Sequence, residues 1–79
     1  MRNQIIYVRL LNEGTAVFRP VLSQELRPMV FVLGADEYDP NDEEWEYPPG
    51  TLVCVEAHEF EGGLRRLLVS GRIIEGDSI

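Results

Sequence analysis

Thr51-Leu52-Val53-Cys54-Val55-Glu56-Ala57-His58-Glu59-Phe60-Glu61-Gly62-Gly63-Leu64-Arg65-Arg66-Leu67-Leu68-Val69-Ser70 is the stretch whose reading decides the fold. In an extended chain Val53, Val55 and Ala57 point to one side, and Cys54, Glu56 and His58 to the other. Glu61-Gly62-Gly63 interrupts the run with two adjacent glycines, the signature of a tight reversal, and Leu64 to Ser70 returns. The expectation is an antiparallel hairpin with strands at 51–60 and 64–70. Gly71 is expected to mark a bulge before Arg72-Ile73-Ile74, and the last five residues, 75–79, read as a frayed tail.

Working outward, Pro48-Pro49-Gly50 punctuates the chain just before the hairpin. Met29-Val30-Phe31-Val32-Leu33 is a short continuous apolar run, the mark of a buried strand, and Gly34 breaks it. Near the start, Ile5 to Leu11 is β-branched and aromatic and is stopped by Asn12-Glu13-Gly14. Ile6, Val8 and Leu10 form one apolar face there, while Ile5, Tyr7 and Leu11 make the other nearly as apolar. Thr15 to Arg19 reads as a second strand, and Pro20 places it at an edge or a bulge because proline cannot donate to a ladder. Val21 to Arg27 has room for one helical turn, which Pro28 would stop. Gly14-Thr15-Ala16-Val17 is echoed by Gly50-Thr51-Leu52-Val53, each a glycine turn opening a strand. Five short strands and no helix predict an all-β chain: a small five-stranded antiparallel SH3-like barrel. An OB-like barrel is the alternative. Its usual helix between the third and fourth strands is opposed here by Pro40, Pro48 and Pro49.

Seventy-nine residues and 9.0 kDa suit a single barrel domain over 1–79, with an acidic loop at 34–50. No apolar run approaches the ~20 residues of a membrane-spanning helix. The first residues contain no apolar core of a secretory leader, and the single cysteine cannot form an internal disulfide. A cytoplasmic location is expected.

The chain carries 14 acidic and 7 basic residues, a net charge of -7. All the basic residues are arginines, a bias that reads as codon usage rather than chemistry. Asp36, Glu37, Asp39, Asp42, Glu43, Glu44 and Glu46 fall together with no base among them, so the surplus charge belongs to one segment. Binding to nucleic acid is not expected, because phosphate contact needs clustered Arg or Lys. The run is either a solvated loop that aids solubility or a contact surface that steers a basic partner. Trp45 and Tyr47 lie inside it, on the opposite side of an extended chain from Glu44 and Glu46. Both rings are expected to fold back over one end of the barrel; the alternative is an aromatic and acidic binding patch. The candidate partner-binding residues are Asp42, Glu43, Glu44, Trp45, Glu46 and Tyr47.

Other chemistry finds less support. Cys54, Glu56 and His58 are zinc-ligating types on one strand face, but the outer two stand about 13 Å apart along a strand. No nucleophile-elbow motif surrounds Ser23 or Ser70, and Cys54 and His58 are too far apart to pair. The acidic run lacks calcium-loop spacing, and no glycine-rich phosphate loop is present. The residues therefore point away from an enzyme and from a bound cofactor.

The blocks Tyr7-Val8-Arg9-Leu10-Leu11-Asn12-Glu13-Gly14-Thr15-Ala16-Val17-Phe18-Arg19-Pro20-Val21 and Asp42-Glu43-Glu44-Trp45-Glu46-Tyr47-Pro48-Pro49-Gly50 resemble a family of short bacterial proteins of uncharacterised function. They cover about a third of the chain. The resemblance implies a bacterial origin and carries no activity, ligand or partner. It suggests that Arg19, Trp45 and the Pro-Pro-Gly turn matter to the architecture, with Arg19 pairing with Glu44 or Glu46 to pin the acidic loop to the second strand.

The expected function is a non-enzymatic module that binds a basic protein through its acidic and aromatic loop, in the manner of an immunity protein or antitoxin. Two alternatives are a homo-oligomeric structural protein using apolar outer strand faces, and a metal-binding protein at Cys54, Glu56 and His58. Neither a membrane nor nucleic acid is expected as a direct partner.

Overall fold

Five strands laid side by side as a meander alternate in direction, so the first and last run the same way and can close only as a parallel pair. The computed structural model shows this closed barrel; it describes residues 2–35 and 38–74. Asp36, Glu37 and the tail at 75–79 lie outside the described residues. The strands are β1 (Arg2–Arg9), β2 (Phe18–Arg27), β3 (Val30–Val32), β4 (Leu52–Phe60) and β5 (Leu64–Arg72), with one 3-10 turn at Glu61–Gly63. Each strand pairs antiparallel with its successor, and β1 meets β5 in parallel through Tyr7 and Leu68. The expected five-stranded antiparallel barrel is present, and its closing seam is the one parallel contact among the described strands. The order is sequential, without the Greek-key crossing of an OB fold.

Period-two alternation builds the core. Ile6 and Val8 on β1, Val21 on β2, Phe31 on β3, Val53 and Val55 on β4 and Val69 on β5 point inward, and Leu10, Leu33 and Trp45 close one end. The hairpin turns where the two glycines stand, with φ of 84° at Gly62 and 79° at Gly63, a region that disfavours a Cβ. The bulge expected at Gly71 is present. Cys54 pairs with Gly71 and Val55 with Val69, which leaves Ser70 as the extra residue.

The second strand departs most from expectation. Thr15 to Val17 is loop, the strand opens at Phe18, and it runs through Pro20 to Arg27 where one helical turn had room. The reason is long-range: eight consecutive positions of β2 pair with β1, from Phe18 opposite Arg9 to Glu25 opposite Arg2. That pairing turns Val21 and Ser23 inward, an alternation a helical turn would destroy. Pro20 is tolerated because β3 pairs with β2 only from Gln24 onward, so a strand lies on one side of it alone. The echo between Gly14-Val17 and Gly50-Val53 holds only at the second copy, where Gly50 at φ 89° leads into β4.

Pro28 and Met29 occupy the centre of the β2–β3 turn. Proline holds φ negative and Met29 lies at φ 66°, the combination of a type II turn. Gly34 is needed for space rather than for φ. Its N–H donates to Ser23 Oγ at 3.0 Å, and a Cβ there would sit 2.0 Å from the Leu22 carbonyl oxygen. Gly50 N–H to Leu33 O (2.8 Å) and Leu33 N–H to Thr51 O (3.0 Å) clamp the two ends of the acidic loop together. No helix among the described residues is long and apolar enough to cross a membrane.

Candidate functional site: an acidic strap anchored on the barrel

The second half of the acidic loop lies against the end of β1 as a short added strand. Leu10 and Trp45 form an antiparallel bridge, flanked by Leu11 N–H to Glu44 O (2.7 Å) and Glu46 N–H to Arg9 O (2.8 Å). Just before it, Asp39 organises a turn, accepting the Asp42 and Glu43 amides on its carbonyl and the Asn41 amide on its side chain.

Pleating then sorts the side chains. Trp45 is 4% exposed and belongs to the core. Tyr38 meets it edge-on, with centroids 4.7 Å apart and planes at 71°, and Tyr47 packs against the same cluster. Both rings thus cover one end of the barrel. The aromatic half of the expected binding patch is turned inward, and Trp45 and Tyr47 serve as anchors. Asp42, Glu44 and Glu46 are exposed. Glu44 accepts a hydrogen bond from the Asn12 side-chain amide, and Asn12 sits at φ 63°, in the left-handed region that asparagine tolerates.

Glu43 lies two residues before Trp45 and shares its inward side. Its carboxylate receives Arg19 Nε at 2.9 Å, Arg19 Nη2 at 2.6 Å and Trp45 Nε1 at 3.1 Å. The Arg19 hydrogen bonds hold the Glu43 carboxyl below its ordinary value of 4.5; partial burial opposes them, while the indole N–H and the arginine charge reinforce them. Arg19 therefore pins the strap to β2 as expected, but through Glu43 rather than Glu44 or Glu46. The alternation explains the correction: Glu44 and Glu46 face away from the barrel, and only the Trp45 side of the strap looks toward β2. The sequence signal that identifies Glu43 is its i−2 spacing from the one buried tryptophan.

The three zinc-ligating types on β4 do not converge. Cys54 Sγ contacts Ser70 Oγ (3.5 Å) and the Gly71 carbonyl (3.7 Å), whereas His58 Nε2 lies 3.5 Å from Glu56 Oε1. Among the described residues no three His, Cys, Asp or Glu side chains group closely enough to share an ion.

Compared with protein-family models, with curated proteins and with solved structures, the chain finds no match.

Proposed function

We propose that the chain is a binding module that engages a basic protein surface through the outward carboxylates Asp42, Glu44 and Glu46. The observation that carries this reading is the way the strap is held. Backbone pairing to β1, the buried indole and the Arg19–Glu43 bridge all fix its inner side, so the outer carboxylates are presented from a rigid frame. Acids needed only for solubility require no such frame, while a recognition surface gains affinity from preorganisation. Concentrated negative charge also accelerates encounter with a basic partner and orients it. An inhibitor that occludes the basic surface of a nuclease, as immunity proteins and antitoxins do, has this chemistry.

The test is capture from a lysate of the source cell by the native chain beside the Asp42→Asn/Glu44→Gln/Glu46→Gln variant. Glu43 is left intact because it holds the strap. A basic protein retained by the native chain only, and released as salt screens the contact, is the expected result. Equal recovery by both forms would reduce the strap to a solubility device.

A further inference from the structure

Beside the strap, the outer face of β1, β5 and β4 carries exposed and half-buried apolar side chains. Because Ile6, Val8 and Val69 point into the core, Ile5, Tyr7, Arg66 and Leu68 point out. The pairings Tyr7–Leu68, Glu56–Leu68, His58–Arg66 and Phe60–Leu64 place these residues on one continuous face, and Ile5 extends it to Leu22 on β2. Ile5 is 44% and Leu64 49% exposed, and a groove of about 400 Å³ runs between them.

The Arg66 guanidinium lies 5.0 Å from the Tyr7 ring centroid and 5.3 Å from that of Phe60. Two rings hold it in place without neutralising it, and among the described residues no carboxylate forms an ion pair with it. Glu56, its side chain 67% exposed, stands two pairings further along the same two strands, its Oε1 3.5 Å from His58 Nε2. The patch thus joins an aromatic-held arginine, an exposed glutamate and surrounding apolar residues, the composition of an interface centre.

We infer that a second copy of this chain covers this face in a symmetric dimer. The patch is complementary to itself: a two-fold axis between Arg66 and Glu56 sets each arginine against the other copy's glutamate, and the pair forms twice. Of the strap's carboxylates Glu46 comes nearest, lining a shared cavity with His58 and Leu68 at one edge of the face, and Arg9, whose carbonyl receives the Glu46 amide, lines the same cavity. This inference is independent of the strap's partner.

The experiment is sedimentation equilibrium of the full chain from about 10 μM to about 1 mM, a range that resolves dimers of moderate affinity. A dimer that persists at high salt is expected. Arg66→Glu sets a second carboxylate against Glu56 and should weaken the dimer at least about tenfold. Combining it with Glu56→Arg should restore the dimer. Leu64→Lys, a change at an exposed site, should weaken it by a similar factor, and Trp45 emission confirms that each variant is folded. A native chain that stays monomeric throughout the range overturns the inference, as does a dimer indifferent to both Arg66→Glu and Leu64→Lys. Loss of the dimer on neutralising Asp42, Glu44 and Glu46, with Arg66→Glu silent, also overturns it, because the contact would then run through the strap.

Discussion

Removing Arg19 tests how the strap is held. Arg19→Ala takes both guanidinium donors from Glu43 and leaves its carboxylate beside the indole N–H. A hydrogen bond to a charged group contributes about 1.5–3 kcal/mol. The Arg19 and Glu43 side chains are 30% and 16% exposed, so solvent offsets part of the two bonds together. The expected loss is about 2 kcal/mol, against a total stability of about 4–12 kcal/mol for a chain of this length. The melting temperature should fall by about 8–16 °C. The pH dependence follows from the lowered Glu43 pKa. Its ionised form favours the folded state above the ordinary value of 4.5, and that contribution is lost as pH falls through the folded value. The deficit of the variant should therefore be full near about pH 7 and shrink at an acid pH below the lowered Glu43 value, where the native carboxyl is protonated as well. Urea unfolding followed by Trp45 emission measures it, and amide exchange at Leu11 and Glu46 reports whether the strap loosens locally. A deficit under about 0.5 kcal/mol, or one of equal size at both pH values, would refute the reasoning.

Three further substitutions address the frame around the strap. Gly34→Ala drives a methyl group to within 2.0 Å of the Leu22 carbonyl oxygen and should cost more than about 2 kcal/mol; an unchanged urea midpoint would contradict the close approach. Trp45→Phe keeps most of the buried volume but removes the N–H donated to Glu43, and should lose about 1–2 kcal/mol by far-UV circular dichroism melting. Met29→Gly relieves a non-glycine residue at φ 66° and should raise stability by about 0.5 kcal/mol, glycine's greater unfolded-state freedom offsetting part of the gain. A loss of stability in the same assay would show that Met29 packing outweighs the strain.

Much of the barrel is legible in the chain because its signals are local. Apolar alternation at Ile6, Val8 and Leu10, and again at Val53 and Val55, describes faces that are in fact buried. Gly62 and Gly63 reverse the chain where adjacent glycines should, and Gly71 sits at the bulge. The stretch from Val21 to Arg27 was ambiguous because its few apolar residues fit either period, and the competing helical turn loses only when β1 supplies a partner for each position. The role of Gly34 was hidden for a similar reason. It depends on a carbonyl twelve residues earlier, brought close by the β2–β3 reversal.

The candidate site divides along the same line. By itself the sequence determined where the negative charge lies, and that Glu44 and Glu46 oppose Trp45 and Tyr47 in an extended strap, because both depend only on composition and on the two-residue repeat of a pleated chain. Only the tertiary structure decided which side of the strap faces the barrel. That choice is made by the bridge between Leu10 and Trp45, 35 residues apart in the chain, which buries the indole and brings Glu43 to Arg19. Local alternation names two faces; burial of one of them needs a surface built from distant strands, and that surface exists only once the barrel has closed.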